Sequence, residues 1–117
     1  MKEPLNHILK GIQETLEKVD PSSIDEMVNA VLGAKKIFVY GVGRSGLIGQ
    51  AFAVRLVQMG FDVHFVGDMT TPIVESNDVV IIVSNTGETM SAVQTANIVR
   101  RVGATVISIT ANMHPKL

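Results

Sequence analysis

At 117 residues, 46% of them hydrophobic, the chain has the size of one soluble globular domain and enough apolar side chain for a real core. Ten Lys and Arg against eleven Asp and Glu leave a net charge of −1 without long runs of one sign, which argues against nucleic acid or a membrane surface as partner. The absence of cysteine removes disulfides, thiolate catalysis and cysteine metal sites, and it agrees with a cytoplasmic address.

The opening MKEPLNHILKGIQETLEK carries charge throughout and reads as neither a signal peptide nor a membrane span. Leu5, Ile8, Leu9, Ile12, Leu16 and Val19 fall on one face of an amphipathic helix that Asp20-Pro21 stops. Ser23 with Glu26 three places later is a capping-box signature for a second helix, which carries Ile24, Met27, Val28, Val31 and Leu32 and which Gly33 ends. The stripe on the first helix fits two roles equally, a cover for this domain's own core or a contact with a partner chain.

From Ile37 to Tyr40 four large apolar residues run straight into Gly41-Val42-Gly43-Arg44-Ser45-Gly46, the pattern of a buried strand, a tight turn and a helix N-terminus. A helix follows through Leu47, Ile48, Ala51, Phe52, Val54, Leu56 and Val57, closed by Gly60. Asp62 to Val66 reads as a second strand. Gly67 to Asp78 is an irregular connection, with one helical turn expected after Pro72. Val79 to Val83 is a strand apolar on both faces, Met90 to Val102 a helix stopped by Gly103, and Thr105 to Thr110 a fourth strand. The basic pairs Lys35-Lys36 and Arg100-Arg101 read as solvated ends of such elements. Strands alternating with helices predict an α/β fold, a parallel β-sheet of four strands covered by helices on both faces. Ala111 to Leu117 follows the last strand without a helix, and the chain is expected to be a shortened version of something longer.

Ligands of open parallel sheets bind beyond the carboxyl ends of the strands, where both unusual loops fall. The first offers glycine backbone, the Arg44 guanidinium and the Ser45 hydroxyl at a helix start, where unpartnered N–H groups favour anions. The second gathers Ser84, Asn85, Thr86 and Thr89 around Gly87. Short neutral donors near a helix N-terminus suit a phosphate monoester that must be bound and released. Each loop alone also reads as an ordinary helix cap. The glycine spacing further permits a dinucleotide site with Asp68 as ribose acceptor, whereas a Walker sequence is excluded because no GK[ST] follows the glycines. His7, His64 and His114 are scattered without metal-ligand spacing; His64 and Glu88 are weak acid-base candidates beside their structural readings, a packed strand histidine and a favourable charge at a helix start.

GVGRSG after the first strand and SNTGET after the third resemble the two signature loops of the sugar isomerase (SIS) domain, a phosphosugar-binding α/β module. The longer run GVGRSGLIGQAFAVRLVQMGFDVHFVGDMTTP is similar to the 6-phospho-3-hexuloisomerase family, and the likeness extends from Lys35 to Asn112. The resemblance implies a three-layer, doubly wound domain over residues 35–117 behind an N-terminal helical segment, residues 1–34. It implies interconversion of D-arabino-3-hexulose 6-phosphate and fructose 6-phosphate in the ribulose monophosphate pathway, through an enediol and without metal or organic cofactor. Ser45, Ser84, Thr86 and Thr89 would hold the phosphate, Gly43, Asn85, Gly87 and Glu88 would shape the loops, and Arg44 would reach phosphate or substrate hydroxyls. The family's acidic base is expected beyond Leu117. A homo-oligomer, tetramer or dimer, is implied as well. The rival within the same module is a non-catalytic sugar-phosphate sensor, for which the first 35 residues supply no helix-turn-helix.

Overall fold

Two apolar runs set the layout. Ile37–Gly41 (β1) and Val79–Val83 (β3) pair in parallel at the centre of a four-stranded sheet, with Val63–Phe65 (β2) beyond β1 and Thr105–Ile109 (β4) beyond β3, in the order β2-β1-β3-β4. The computed structural model describes residues 2–67 and 71–111. Its helices are Lys2–Glu17 (α1), Pro21–Gly33 (α2), Gly43–Gln58 (α3) and Met90–Val102 (α4).

Side chains alternate across a strand, so β1 and β3 feed two cores. Ile37, Val39, Val79 and Ile81 pack with Val31 of α2 and with Ala53 and Leu56 of α3. Phe38, Val80 and Ile82 pack on the other face with Ala92, Ala96 and Val99 of α4. The result is a three-layer α/β sheet of the expected class, with α4 ending at Gly103 in the left-handed conformation (φ 92°).

Three details differ from the sequence reading. α2 starts earlier than the Ser23–Glu26 signature predicts, because Asp20 caps it: Asp20 Oδ1 accepts from Ser22 N at 3.0 Å and Ser22 Oγ at 2.9 Å. Pro21 at the first helical position needs no N–H partner and fixes that start. β2 is trimmed to three residues at the sheet edge, and no helical turn follows Pro72 among residues 71–78. That connection is organised by Asp78, which is 1% exposed. Asp78 Oδ1 accepts from Lys36 N at 3.1 Å, Oδ2 accepts from Glu75 N at 2.7 Å, and Lys36 Nζ stands 3.5 Å from Oδ2.

The first helix does not cover the core. α1 buries no residue, and Leu5, Ile8, Leu9, Ile12 and Leu16 remain 53% to 65% exposed.

Candidate functional site

β1 and β3 are neighbours, but the chain leaves them in opposite directions: β1 leads through α3 to β2 on one side, β3 through α4 to β4 on the other. α3 and α4 lie on opposite faces, so a crevice opens beyond the carboxyl ends of these two strands, the place where open sheets bind ligands.

The glycines of the first loop answer to close approach. A Cβ on Gly41 would stand 2.9 Å from Gly46 N, and one on Gly46 would stand 2.7 Å from Gly41 O. The strand end and the first turn of α3 therefore touch backbone to backbone. Gly43 takes φ +60°, a left-handed conformation that side chains resist. Val42 is the extended N-cap of α3 and no side chain caps that helix, which leaves its positive end to an anion.

The second loop is tied to itself and to β4. Ser84 is buried, and its Oγ accepts from Gly87 N at 3.1 Å and lies 3.1 Å from Thr89 Oγ1. Two hydroxyls sharing one hydrogen bond leave one O–H proton to donate elsewhere. Glu88 N donates to Thr86 Oγ1 at 3.1 Å. The Asn85 carbonyl accepts from Ala111 N at 3.0 Å and Thr110 Oγ1 at 3.2 Å, and Gly87 adopts φ 68°.

Between the loops lies a cleft of about 630 Å³. Val42, Arg44, Ser45 and Ile48 line it from the first loop and α3, Val83 and Asn85 from the end of β3, and Ile109, Thr110 and Ala111 from the end of β4. Among the described lining residues Arg44 is the single charged group, and none is a carboxylate. A cation beside an uncapped helix N-terminus, ringed by hydroxyl and amide groups, favours a small polyhydroxylated anion.

Of the residues expected at the site, Arg44, Ser45 and Asn85 line this cleft, and Gly43 shapes the turn that brings them in. Ser84, Thr86, Gly87, Glu88 and Thr89 build the adjoining loop through the bonds just described. His64 is elsewhere: on edge strand β2, its Nε2 is 2.8 Å from Asp62 Oδ1 and its ring lies 5.6 Å from that of Phe38. His7 is exposed on α1. Asp68 and His114 fall outside the described residues. Thr110, Ala111 and Ile48 were not singled out from sequence. Ile48 stands one helical turn after Ser45, and the other two follow the fourth strand on the ligand edge, a position that marks them once β4 is known to flank β3.

Comparison with known proteins agrees with this fold. Residues 31–116 match the SIS domain family. A 3-hexulose-6-phosphate isomerase of Methanocaldococcus jannaschii is 41% identical over 88 residues, 75% of this chain and 49% of that protein. A crystal structure of a Methanococcus jannaschii protein, from which a 3-hexulose-6-phosphate isomerase function has been inferred, has a TM-score of 0.86 at 34% identity, covering 97% of this chain and 67% of that one. The Vibrio vulnificus NanR protein complexed with ManNAc-6P has a TM-score of 0.82 at 25% identity, covering 93% and 43%. The chain spans 49% to 62% of the length of the first curated relatives it matches. The family match covers most of the sequence, both loops included, and the chain belongs to the SIS domain family.

Proposed function

We propose that the cleft between the β1 and β3 loops binds the phosphate of a six-carbon sugar phosphate, and that the protein interconverts D-arabino-3-hexulose 6-phosphate and fructose 6-phosphate. The observation that carries this reading is the pairing of Arg44 and Ser45, at the uncapped start of α3, with the Asn85 amide and the Thr110 hydroxyl across one cleft whose described lining holds no carboxylate. A cleft of about 630 Å³ falls within the range of small-ligand sites.

On this reading the phosphate sits at the helix start, with Ser45, Ser84, Thr86 and Thr89 donating to its oxygens and Arg44 pairing with its charge. The backbone of Gly43, Asn85, Gly87 and Glu88 holds the loop shape around it. The sugar then extends along the cleft toward Thr110 and Ala111. Moving the carbonyl between adjacent carbons requires a base to remove a carbon-bound proton and a donor to the developing enediolate oxygen. No described lining residue is a carboxylate or an imidazole, and the resemblance to the family implies that the base is an acidic residue outside the described ones. The protein works in the cytoplasm as a homo-oligomer, within the ribulose monophosphate pathway.

Calorimetry with fructose 6-phosphate, inorganic phosphate and NADH tests the reading. Fructose 6-phosphate should bind, with inorganic phosphate competing for the same site. Affinity for NADH without affinity for either phosphate would replace it with the dinucleotide reading. A coupled isomerase assay on this chain, and on one extended to the length of its relatives, then measures turnover directly.

A further inference from the structure

The two ends of the cleft differ in charge. Arg44 and Ser45 stand at the start of α3, which follows β1, while Ile109, Thr110 and Ala111 stand at the end of β4. β3 lies between those strands and contributes Val83 and Asn85 to the middle. The strand order thus stretches the cleft across two interstrand steps of about 4.8 Å, roughly 10 Å in all, close to the reach of an extended six-carbon chain with its phosphoester. A sugar phosphate held at the helix start brings its far carbons to β4.

No described lining residue at that far end carries a charge. The cation, Arg44, is at the phosphate end, together with the uncapped helix N-terminus. At the β4 end Ile109 and Ala111 present hydrocarbon to the cleft. The Thr110 hydroxyl and the Ala111 N–H both donate to the Asn85 carbonyl, at 3.2 and 3.0 Å. A carbon bearing a hydroxyl needs no counter-charge in such surroundings. A second phosphate or a carboxylate would lose hydration against Ile109 and Ala111 and gain no cation in return. Position 111 is the informative one, because the bond to Asn85 fixes its backbone while its exposed side chain is a single methyl.

We infer that Ala111 is a specificity-determining residue, which restricts the cleft to sugar monophosphates by withholding a cation from the far end of the ligand. This rests on the sugar-phosphate reading above and adds to it which sugar phosphates the cleft refuses.

Calorimetry with fructose 6-phosphate and fructose 1,6-bisphosphate reads the selectivity as a ratio of affinities. The natural chain should bind the bisphosphate roughly ten-fold more weakly than the monophosphate. Ala111→Lys places an ammonium at the far end and should raise bisphosphate affinity by roughly ten-fold, closing that gap, while fructose 6-phosphate affinity changes far less. Because lysine is larger than alanine, such a gain comes from charge and not from room. Thr105→Lys, exposed at the opposite end of β4, adds the same net charge outside the cleft and should leave the ratio at its natural value. Neither position belongs to a core, so circular dichroism should show both variants folded. Three results would each overturn the inference and leave the sugar-phosphate reading standing: equal affinity of the natural chain for both ligands, an unmoved ratio in folded Ala111→Lys, or a ratio moved equally by Thr105→Lys. Binding of neither ligand to the natural chain would instead overturn that reading, and this inference with it.

Discussion

Gly41 and Gly46 are in backbone contact: the position a Cβ would take on Gly46 lies 2.7 Å from the carbonyl oxygen of Gly41. The opposing atoms belong to a strand end in the middle of the sheet, which has little freedom to retreat. Gly46→Ala should therefore displace the first turn of α3, costing about 1–3 kcal/mol of stability, as overpacking does. Phosphate affinity should fall with it. Gly49→Ala, which would stand 3.1 Å from the Val39 side chain instead of from backbone, should cost less. Chemical denaturation of the two variants ranks them, and equal stability would show that the contact yields easily.

Arg44 is exposed and holds no place in either core. Arg44→Gln should leave the melting temperature nearly unchanged. Loss of a hydrogen bond to a charged group, about 1.5–3 kcal/mol, should weaken fructose 6-phosphate binding by roughly ten- to a hundred-fold. Calorimetry reads this directly; undiminished affinity would take Arg44 out of the site.

Thr110 holds the second loop from the neighbouring strand, through its 3.2 Å hydrogen bond to the Asn85 carbonyl. Thr110→Val keeps the shape and removes that bond, leaving the 3.0 Å bond from Ala111 N. Stability should drop by about 1 kcal/mol or less. Amide exchange at Ala111 should quicken, since one of the two bonds on the Asn85 carbonyl is then gone. Exchange at the natural rate would mean that Thr110 contributes contact only.

Asp78 works at the other end of the sheet, ahead of β3 and beside Lys36, which precedes β1. Asp78→Ala removes the acceptor from two backbone N–H groups and an ammonium at once, and should cost about 3–5 kcal/mol. Because the cleft lies at the opposite edge, ligand affinity measured on the folded fraction should not change. A variant that folds normally but binds poorly would contradict this division of labour.

The elements that local chemistry decides were legible in the sequence. β1 and β3 carry unbroken apolar runs, α4 begins after the SNTGET turn and stops at a glycine, and their bounds follow from those signals to within a residue. The α2 start was not, because two capping signals compete within four residues and Pro21 decides between them in favour of Asp20. Asp78 was missed because an aspartate at a loop end is ordinarily solvated, and only the pairing of distant segments reveals its burial. The same holds for the cleft. Arg44, Ser45 and Asn85 sit in loops whose composition marks them, whereas Thr110 and Ala111 matter only through the order of strands, which no local pattern encodes.

Sheet order has a mechanical side too. β2, β1 and α3 form one half of the sheet and β3, β4 and α4 the other, and the five aligned residue pairs between β1 and β3 make the seam. A ligand in the cleft touches both halves just beyond the end of that seam, so it acts as a rivet across it. Occupancy should therefore slow the opening of the central strand pair more than that of β2 at the rim, turning a local binding event into resistance of the whole sheet to parting along its midline.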